Sequence, residues 1–203
     1  MIKQFANMIT YFLIQEEIIR GDDAEIYRYG IEQILINLMT FSVIGVFATI
    51  TEMWIETLFF FVGLIPIRMV AGGYHATTPR RCNALTFLVY DVNMIFIRFI
   101  GNYMTYPLIY TIYVIILVII FRFAPVDHKN MALNDVELIK ARKGSRIIGI
   151  VIVGSCIGLS AIFKSENIFS TSMMMGALTA SVSLFIGSLA RGGEKYEEAE
   201  ISK

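Results

Sequence analysis

The sequence predicts an all-α, polytopic integral membrane protein of about six transmembrane helices preceded by an interfacial amphipathic helix. Two observations carry that prediction. Apolar residues make up 56% of the 203 residues and charged residues only 17%, against roughly 25% in soluble domains, and the mean hydropathy is +0.66. The apolar residues also fall into runs. Stretches near 34–50, 54–70, 83–101, 103–123, 146–163 and 168–190 each approach the ~20 residues with which a helix crosses a bilayer. They leave no separate stretch large enough for an aqueous core, so residues 1–203 read as a single integral membrane domain.

Each element has its own signal. In the first residues, charges interrupt the apolar positions, unlike the pure apolar core of a cleavable leader. Ile2, Phe5, Ile9, Phe12 and Leu13 share one helical face, which suits a helix lying in the membrane interface. Tyr29-Gly30-Ile31-Glu32 opens the first span. The second span is the weakest, because Pro66 and Arg68 leave only Trp54 to Ile67 as a clean apolar run, consistent with a short or partly re-entrant segment. Thr78-Pro79 reads as an N-cap followed by proline at the first helical position, so a helix is expected to start there and continue into the third span. The fourth, Tyr103 to Phe123, is the strongest candidate.

Basic residues orient the spans. If connections alternate sides, 15 of the 17 Lys and Arg fall on one side, leaving Arg98 and Lys164 for the other. The positive-inside rule then places both termini and the connection 68–82 in the cytoplasm of a multi-pass cell-membrane protein. Dropping a single span would scramble this asymmetry, so it also supports six crossings.

The chemistry concentrates in that 68–82 connection. It holds His75 and Cys82 in a break rich in Gly and Arg between two apolar segments, where a thiol nucleophile and its base are expected. Cys82 would sit in the first turn of the third-span helix, where backbone N–H groups, the positive helix end, Arg80 and Arg81 all favour a thiolate. On one unbroken helix His75 and Cys82 would lie about 10 Å apart along the axis, too far for proton transfer. Pro79 opposes such a helix, and Gly72-Gly73 supplies the backbone freedom for His75 to approach, with N–H groups able to help stabilise an oxyanion. A polar Glu32 at the mouth of the first span needs a partner and could orient His75; Asp91 and Asn93 in the third span are alternatives, two to three turns beyond Cys82. Cys156, among Val153, Ile157 and Leu159, reads as inert packing, and His128 as a solvated loop residue. Cys156 falls mid-membrane and no paired Cys-x-x-Cys spacing exists, so no metal site is expected, and one cytoplasm-facing and one buried thiol do not suggest a disulfide. No cofactor or nucleic-acid partner is expected either.

The pattern Arg68-x-x-x-Gly72-Gly73-x-His75-Ala76 followed by Cys82, set between apolar segments, resembles the accessory gene regulator protein B family of membrane endopeptidases. Tyr29-Gly30-Ile31-Glu32 and Ala124-Pro125-Val126-Asp127-His128-Lys129-Asn130, with the basic segment ending Lys140-Ala141-Arg142-Lys143, agree with it, so the resemblance covers essentially the whole chain. It implies cleavage of a short quorum-sensing precursor through an acyl-enzyme on Cys82, with His75 as base, and closure of a thiolactone or lactone ring. Arg68 and Gly73 match positions important in the family, Arg68 either pairing with a substrate carboxylate or holding the loop. The implied partners are an amphipathic precursor peptide with an acidic C-terminal tail, the lipid bilayer and a second copy in a homodimer. The six basic residues of 122–146 suit either an acidic peptide tail or anionic lipid. Two other classes share the six-span pattern: a small transporter or exporter with Asp91, Asn93, Arg98 and Asn102 lining a path, and a non-catalytic membrane scaffold. In both, Cys82 is dispensable.

Overall fold

The computed structural model describes residues 2–74, 79–100, 103, 105–126, 134–163 and 168–201. Among them are seven α-helices: α1 (Ile2–Gln15), α2 (Ala24–Thr51), α3 (Trp54–Ala71), α4 (Pro79–Ile100), α5 (Tyr106–Phe123), α6 (Asp135–Phe163) and α7 (Ile168–Ile201). No strand occurs among the described residues, and α2 to α7 each contain a stretch long and apolar enough to cross a membrane, in agreement with the six expected spans. The chain forms two compact units, Met1–Glu52 with Ala76–Leu88, and Met53–His75 with Val89–Lys203.

In the first unit α1 packs on α2. Its small residues Ala6 and Thr10 are buried, and the Thr10 hydroxyl donates to the Ala6 carbonyl at 2.8 Å. The apolar face expected of α1 therefore divides: Ile2, Ile9 and Leu13 are part-buried beside this small-residue strip, whereas Phe5 and Phe12 remain 57% and 56% exposed. Those outward aromatic side chains suit immersion in the membrane interface. α2 starts well before residue 34, carrying Tyr29 to Glu32 on the helix itself. The hydroxyls of Thr40, Ser42, Thr49 and Thr51 each donate to the carbonyl four residues earlier, so these polar side chains are satisfied without leaving α2. The helix ends where Glu52 turns left-handed and its N–H bonds back to Ala48 and Thr49. From the start of α4, Asn83 donates to the Ile36 carbonyl at 3.3 Å and Phe87 meets Phe47 edge-on at 6.2 Å. Both contact points advance along the two helices together, so α2 and this part of α4 run parallel.

The second unit is built around α3 and α7. A Cβ on Gly63 would collide with the Met173 carbonyl, and one on Gly176 with the Phe60 carbonyl. The two backbones therefore approach more closely than larger residues would allow, and in lipid such close packing is a main source of helix association. This packing accounts for the continuity of α3, an unbroken 18-residue helix through Pro66 and not a short or re-entrant segment. Proline removes one backbone donor from the ladder, a loss that membrane helices packed against neighbours tolerate.

Contacts fix the directions of the remaining helices. Tyr113 of α5 meets Ser170 near the start of α7, and Phe123 meets Phe185 further along it, so α5 runs parallel to α7. α6 runs the other way: Gly149 faces Ile120, while the Cys156 carbonyl accepts a bond from Ser170. Tyr90 of α4 stacks on Phe61, and Met94, a turn later, approaches Thr57, so this part of α4 opposes α3. These directions are those of spans that alternate across a membrane. They collect Arg68, Arg122, Lys140, Arg142, Lys143 and Arg146 at one end of the unit and send Arg98 toward the other.

α6 also begins earlier than its apolar run. Asn134 and Glu137 form a reciprocal capping box, with the Glu137 N–H donating to Asn134 Oδ1 at 2.9 Å and the Asn134 N–H to Glu137 Oε2 at 3.0 Å. Lys140, Arg142 and Lys143 are thus on a helix that continues directly into the membrane, not in a loop extending to residue 146.

Candidate active site

Where α3 ends, the chain makes a turn that only glycine accommodates well. Gly72 has φ +76°, and a Cβ on it would come 2.5 Å from the Val126 carbonyl oxygen. It closes α3 by donating its N–H to the Arg68 carbonyl at 3.1 Å, while the Val126 N–H donates to the Ala71 carbonyl at 2.9 Å. A Cβ on Gly73 would meet Ser183 Oγ at 2.9 Å and the Arg68 guanidinium at 3.5 Å. The glycine pair therefore does more than loosen the chain: it lets the backbone lie against its neighbours.

Arg68 clamps this turn. Its Nη1 donates to Ser183 Oγ at 2.5 Å and its Nη2 to the Tyr74 carbonyl at 3.0 Å. The Tyr74 N–H donates to the Ser183 carbonyl at 2.9 Å and also lies 3.2 Å from Ser183 Oγ. Of the two roles open to Arg68, holding the loop is the one these contacts make. The N–H groups of Gly72 and Tyr74 are engaged in these bonds, so neither is a ready donor to an oxyanion.

In the first unit, Pro79 is the first residue of α4 and Cys82 the fourth, as the Thr78-Pro79 signal predicts. Cys82 is part-exposed and in no disulfide, and its carbonyl accepts the Thr86 hydroxyl at 2.9 Å. The neighbouring Asn83 bonds to Ile36, one turn along α2 from part-buried Glu32. With α2 and the start of α4 parallel, Glu32 and Cys82 belong to the same end of that unit. His75 and Thr78 lie outside the described residues, as does His128.

The alternatives to Glu32 have other surroundings. Asn93 is buried, donating to the Val89 carbonyl at 2.7 Å and accepting from Thr179 at 3.3 Å, so it is already committed to packing α4 in the second unit. Asp91 has one carboxylate oxygen buried without a hydrogen-bond partner among the described residues. Cys156 is 1% exposed within the helix bundle, where the sequence places an inert thiol. Ser183 and Gly187, which complete the loop seat, have no local signal in the sequence. A small pair one turn apart in an apolar helix ordinarily reads as helix packing alone.

A six-span helical membrane protein, with a glycine-pair turn clamped by arginine and a cysteine at the start of the following helix, is the class that fold and site define. The chain belongs to the Accessory gene regulator B family, whose sequence model matches residues 6–185. AgrB-like proteins of Listeria monocytogenes serotype 4a, Listeria innocua serovar 6a and Listeria welshimeri serovar 6b are 26%, 27% and 25% identical to it. Each comparison covers 87% of this chain and 88% of the relative. No solved structure matches the chain significantly. Membership gives this multi-pass membrane protein a role in the accessory gene regulator system of quorum sensing.

Proposed function

We propose that residues 1–203 act as one membrane-embedded cysteine endopeptidase domain, which removes the acidic C-terminal tail of a short amphipathic precursor peptide and closes the retained part into a ring. The Cys82 sulfur attacks the scissile carbonyl, with His75 accepting the thiol proton and Glu32 orienting the imidazole. The C–N bond breaks as His75 returns the proton to the departing amine, leaving a thioester on Cys82. A side-chain thiol or hydroxyl of the bound peptide then attacks that thioester, loses its proton to His75 and restores Cys82, giving a thiolactone or lactone.

The observation that carries this reading is the Arg68-to-Cys82 pattern in a member of this family, in which Arg68, Gly72 and Gly73 build a single hydrogen-bonded seat instead of a loose linker. The location of Cys82 in the opening turn of α4 supports its role as nucleophile, and the position of Glu32 at the same end of its unit supports it over Asn93. The gathering of six basic residues at the Arg68 end of the second unit supports a cytoplasmic site. It also offers attraction to an acidic tail or to anionic lipid. The precursor's amphipathic helix would keep it in the same bilayer plane, and the enzyme acts as a homodimer.

Co-expression with a tagged precursor tests this directly. Cys82→Ala and His75→Ala should each insert normally and abolish cleavage. Cleavage at the normal rate by either variant would sink the peptidase reading.

A further inference from the structure

We infer that Ser183 of α7 is a positioning residue for the catalytic base, forming with Gly187 and Arg68 the seat from which the His75 segment departs. The inference rests on the peptidase reading above. Its geometry lies within the second unit and involves a helix that carries neither the proposed nucleophile nor the proposed base.

The peptide groups on both sides of Tyr74 are held. On the N-terminal side, the Tyr74 N–H donates to the Ser183 carbonyl at 2.9 Å and lies 3.2 Å from Ser183 Oγ. On the C-terminal side, the Tyr74 carbonyl accepts Arg68 Nη2 at 3.0 Å. That carbonyl is part of the planar peptide unit that joins Tyr74 to His75, so holding it restrains the bond through which His75 is attached. Arg68 is itself oriented by Ser183, because Nη1 donates to Ser183 Oγ at 2.5 Å. One hydroxyl thus fixes the guanidinium that fixes the peptide plane.

Gly187 supplies the room. It lies one helical turn beyond Ser183 on the same face, and a Cβ there would come 2.8 Å from the Tyr74 nitrogen and 2.9 Å from the Gly73 carbonyl carbon. Both close atoms are backbone, which cannot swing aside as a side chain would. An added methyl group must push the loop off α7. General-base catalysis depends on hydrogen-bond reach, and a displacement of about 1 Å is enough to lower a rate by up to about a hundredfold.

The test requires no peptide substrate. In the full-length protein carrying Cys156→Ala, so that Cys82 is the single thiol, the rate of alkylation by iodoacetamide at pH 7 reports how well an imidazole activates that thiol. His75→Ala should slow alkylation, and Ser183→Ala should slow it about three- to tenfold. In a His75→Ala background, Ser183→Ala should have no further effect, because its action passes through His75. Ser183→Thr, which keeps the hydroxyl, should restore the rate to within about twofold of the parent and shows that any loss in Ser183→Ala is not general misfolding. An unchanged rate in Ser183→Ala, where His75→Ala is slow, would overturn the inference and leave the peptidase reading intact. Equal slowing by Ser183→Ala in both backgrounds would also overturn it, marking Ser183 as merely structural. If His75→Ala itself leaves the rate unchanged, the His75–Cys82 pairing fails and the inference fails with it.

Discussion

Two serines of α7 sit at opposite ends of the second unit, and their surroundings differ in kind. Ser170 is buried among neutral partners: its hydroxyl lies 3.1 Å from that of Tyr113 and 2.7 Å from that of Ser160, and donates to the Cys156 carbonyl at 2.9 Å. Three regular helices meet there, and every group involved belongs to one of them. Ser183 instead receives a guanidinium and the backbone of a turn whose two glycines both have positive φ. Hydroxyls shared between helices satisfy polar atoms in lipid with little net gain, about 0.6 kcal/mol on average. Charged groups and unusual backbone angles are expensive to keep in a membrane protein and mark places where something beyond packing is required. The contrast separates the end that joins the bundle from the end where the proposed chemistry would be arranged.

Substitutions can break this contrast. The largest effect is expected from Arg68→Ala, which frees both the Tyr74 carbonyl and Ser183 and should lower precursor cleavage by about a hundredfold or more. Arg68→Lys should recover only part, because one ammonium cannot reproduce the fork that spans Ser183 Oγ and the Tyr74 carbonyl. Initial rates of tagged-precursor cleavage in membranes, normalised to protein level, check both. Gly187→Ala should fall between Arg68→Lys and the parent, and full activity in that variant would mean that the loop does not need its seat on α7.

Packing changes should act on stability. Gly176→Leu forces α3 and α7 apart at the Phe60 carbonyl and should destabilise the protein by about 1–3 kcal/mol or more, seen as a lower thermal midpoint in detergent. Ser170→Ala should cost about 0.5–1 kcal/mol and leave Cys82 alkylation unaltered. If Ser170→Ala and Ser183→Ala slowed alkylation equally, the distinction between the two ends would collapse.

Topology sharpens the comparison further. A membrane-impermeant thiol reagent applied to intact cells should spare Cys82 and label it after permeabilisation. Thr51→Cys and Ser165→Cys, each in a cysteine-free background, should react from outside. The reverse pattern would place the basic end outside the cell.

Much of the fold was legible because lipid imposes one requirement, a long apolar helix, that a sequence displays locally. The helix that runs into the third span starts at Pro79 and the fourth span ends at Phe123, as their residues predict. At α6 and α3, a capping or packing effect outweighed the apolar pattern. Asn134 and Glu137 had the capping spacing that starts α6, but the basic residues following them read as loop. Pro66 read as a break because the Gly63–Gly176 approach that supports α3 joins residues far apart in the chain.

The candidate site was legible to the extent that it is local. Arg68, the glycine pair, His75 and Cys82 fall within fifteen residues, and their types suggest thiol chemistry. Ser183 and Gly187 contribute through tertiary contact alone, and nothing about a serine and a glycine in an apolar helix reveals which loop they receive. The glycine pair likewise suggests backbone freedom in the sequence, whereas its contacts with Val126, Ser183 and Arg68 make close approach the more demanding requirement.

The central claim, covalent catalysis by Cys82, is tested most directly by trapping its intermediate. Full-length protein in membranes is mixed with a synthetic precursor in which the ring-closing Cys or Ser is replaced by Ala, quenched in acid and measured by intact mass spectrometry. The account predicts an adduct equal to the precursor without its C-terminal tail, attached at Cys82, released by neutral hydroxylamine and missing from Cys82→Ala. Tail release with no adduct at Cys82, or an undiminished reaction in Cys82→Ala, would contradict it.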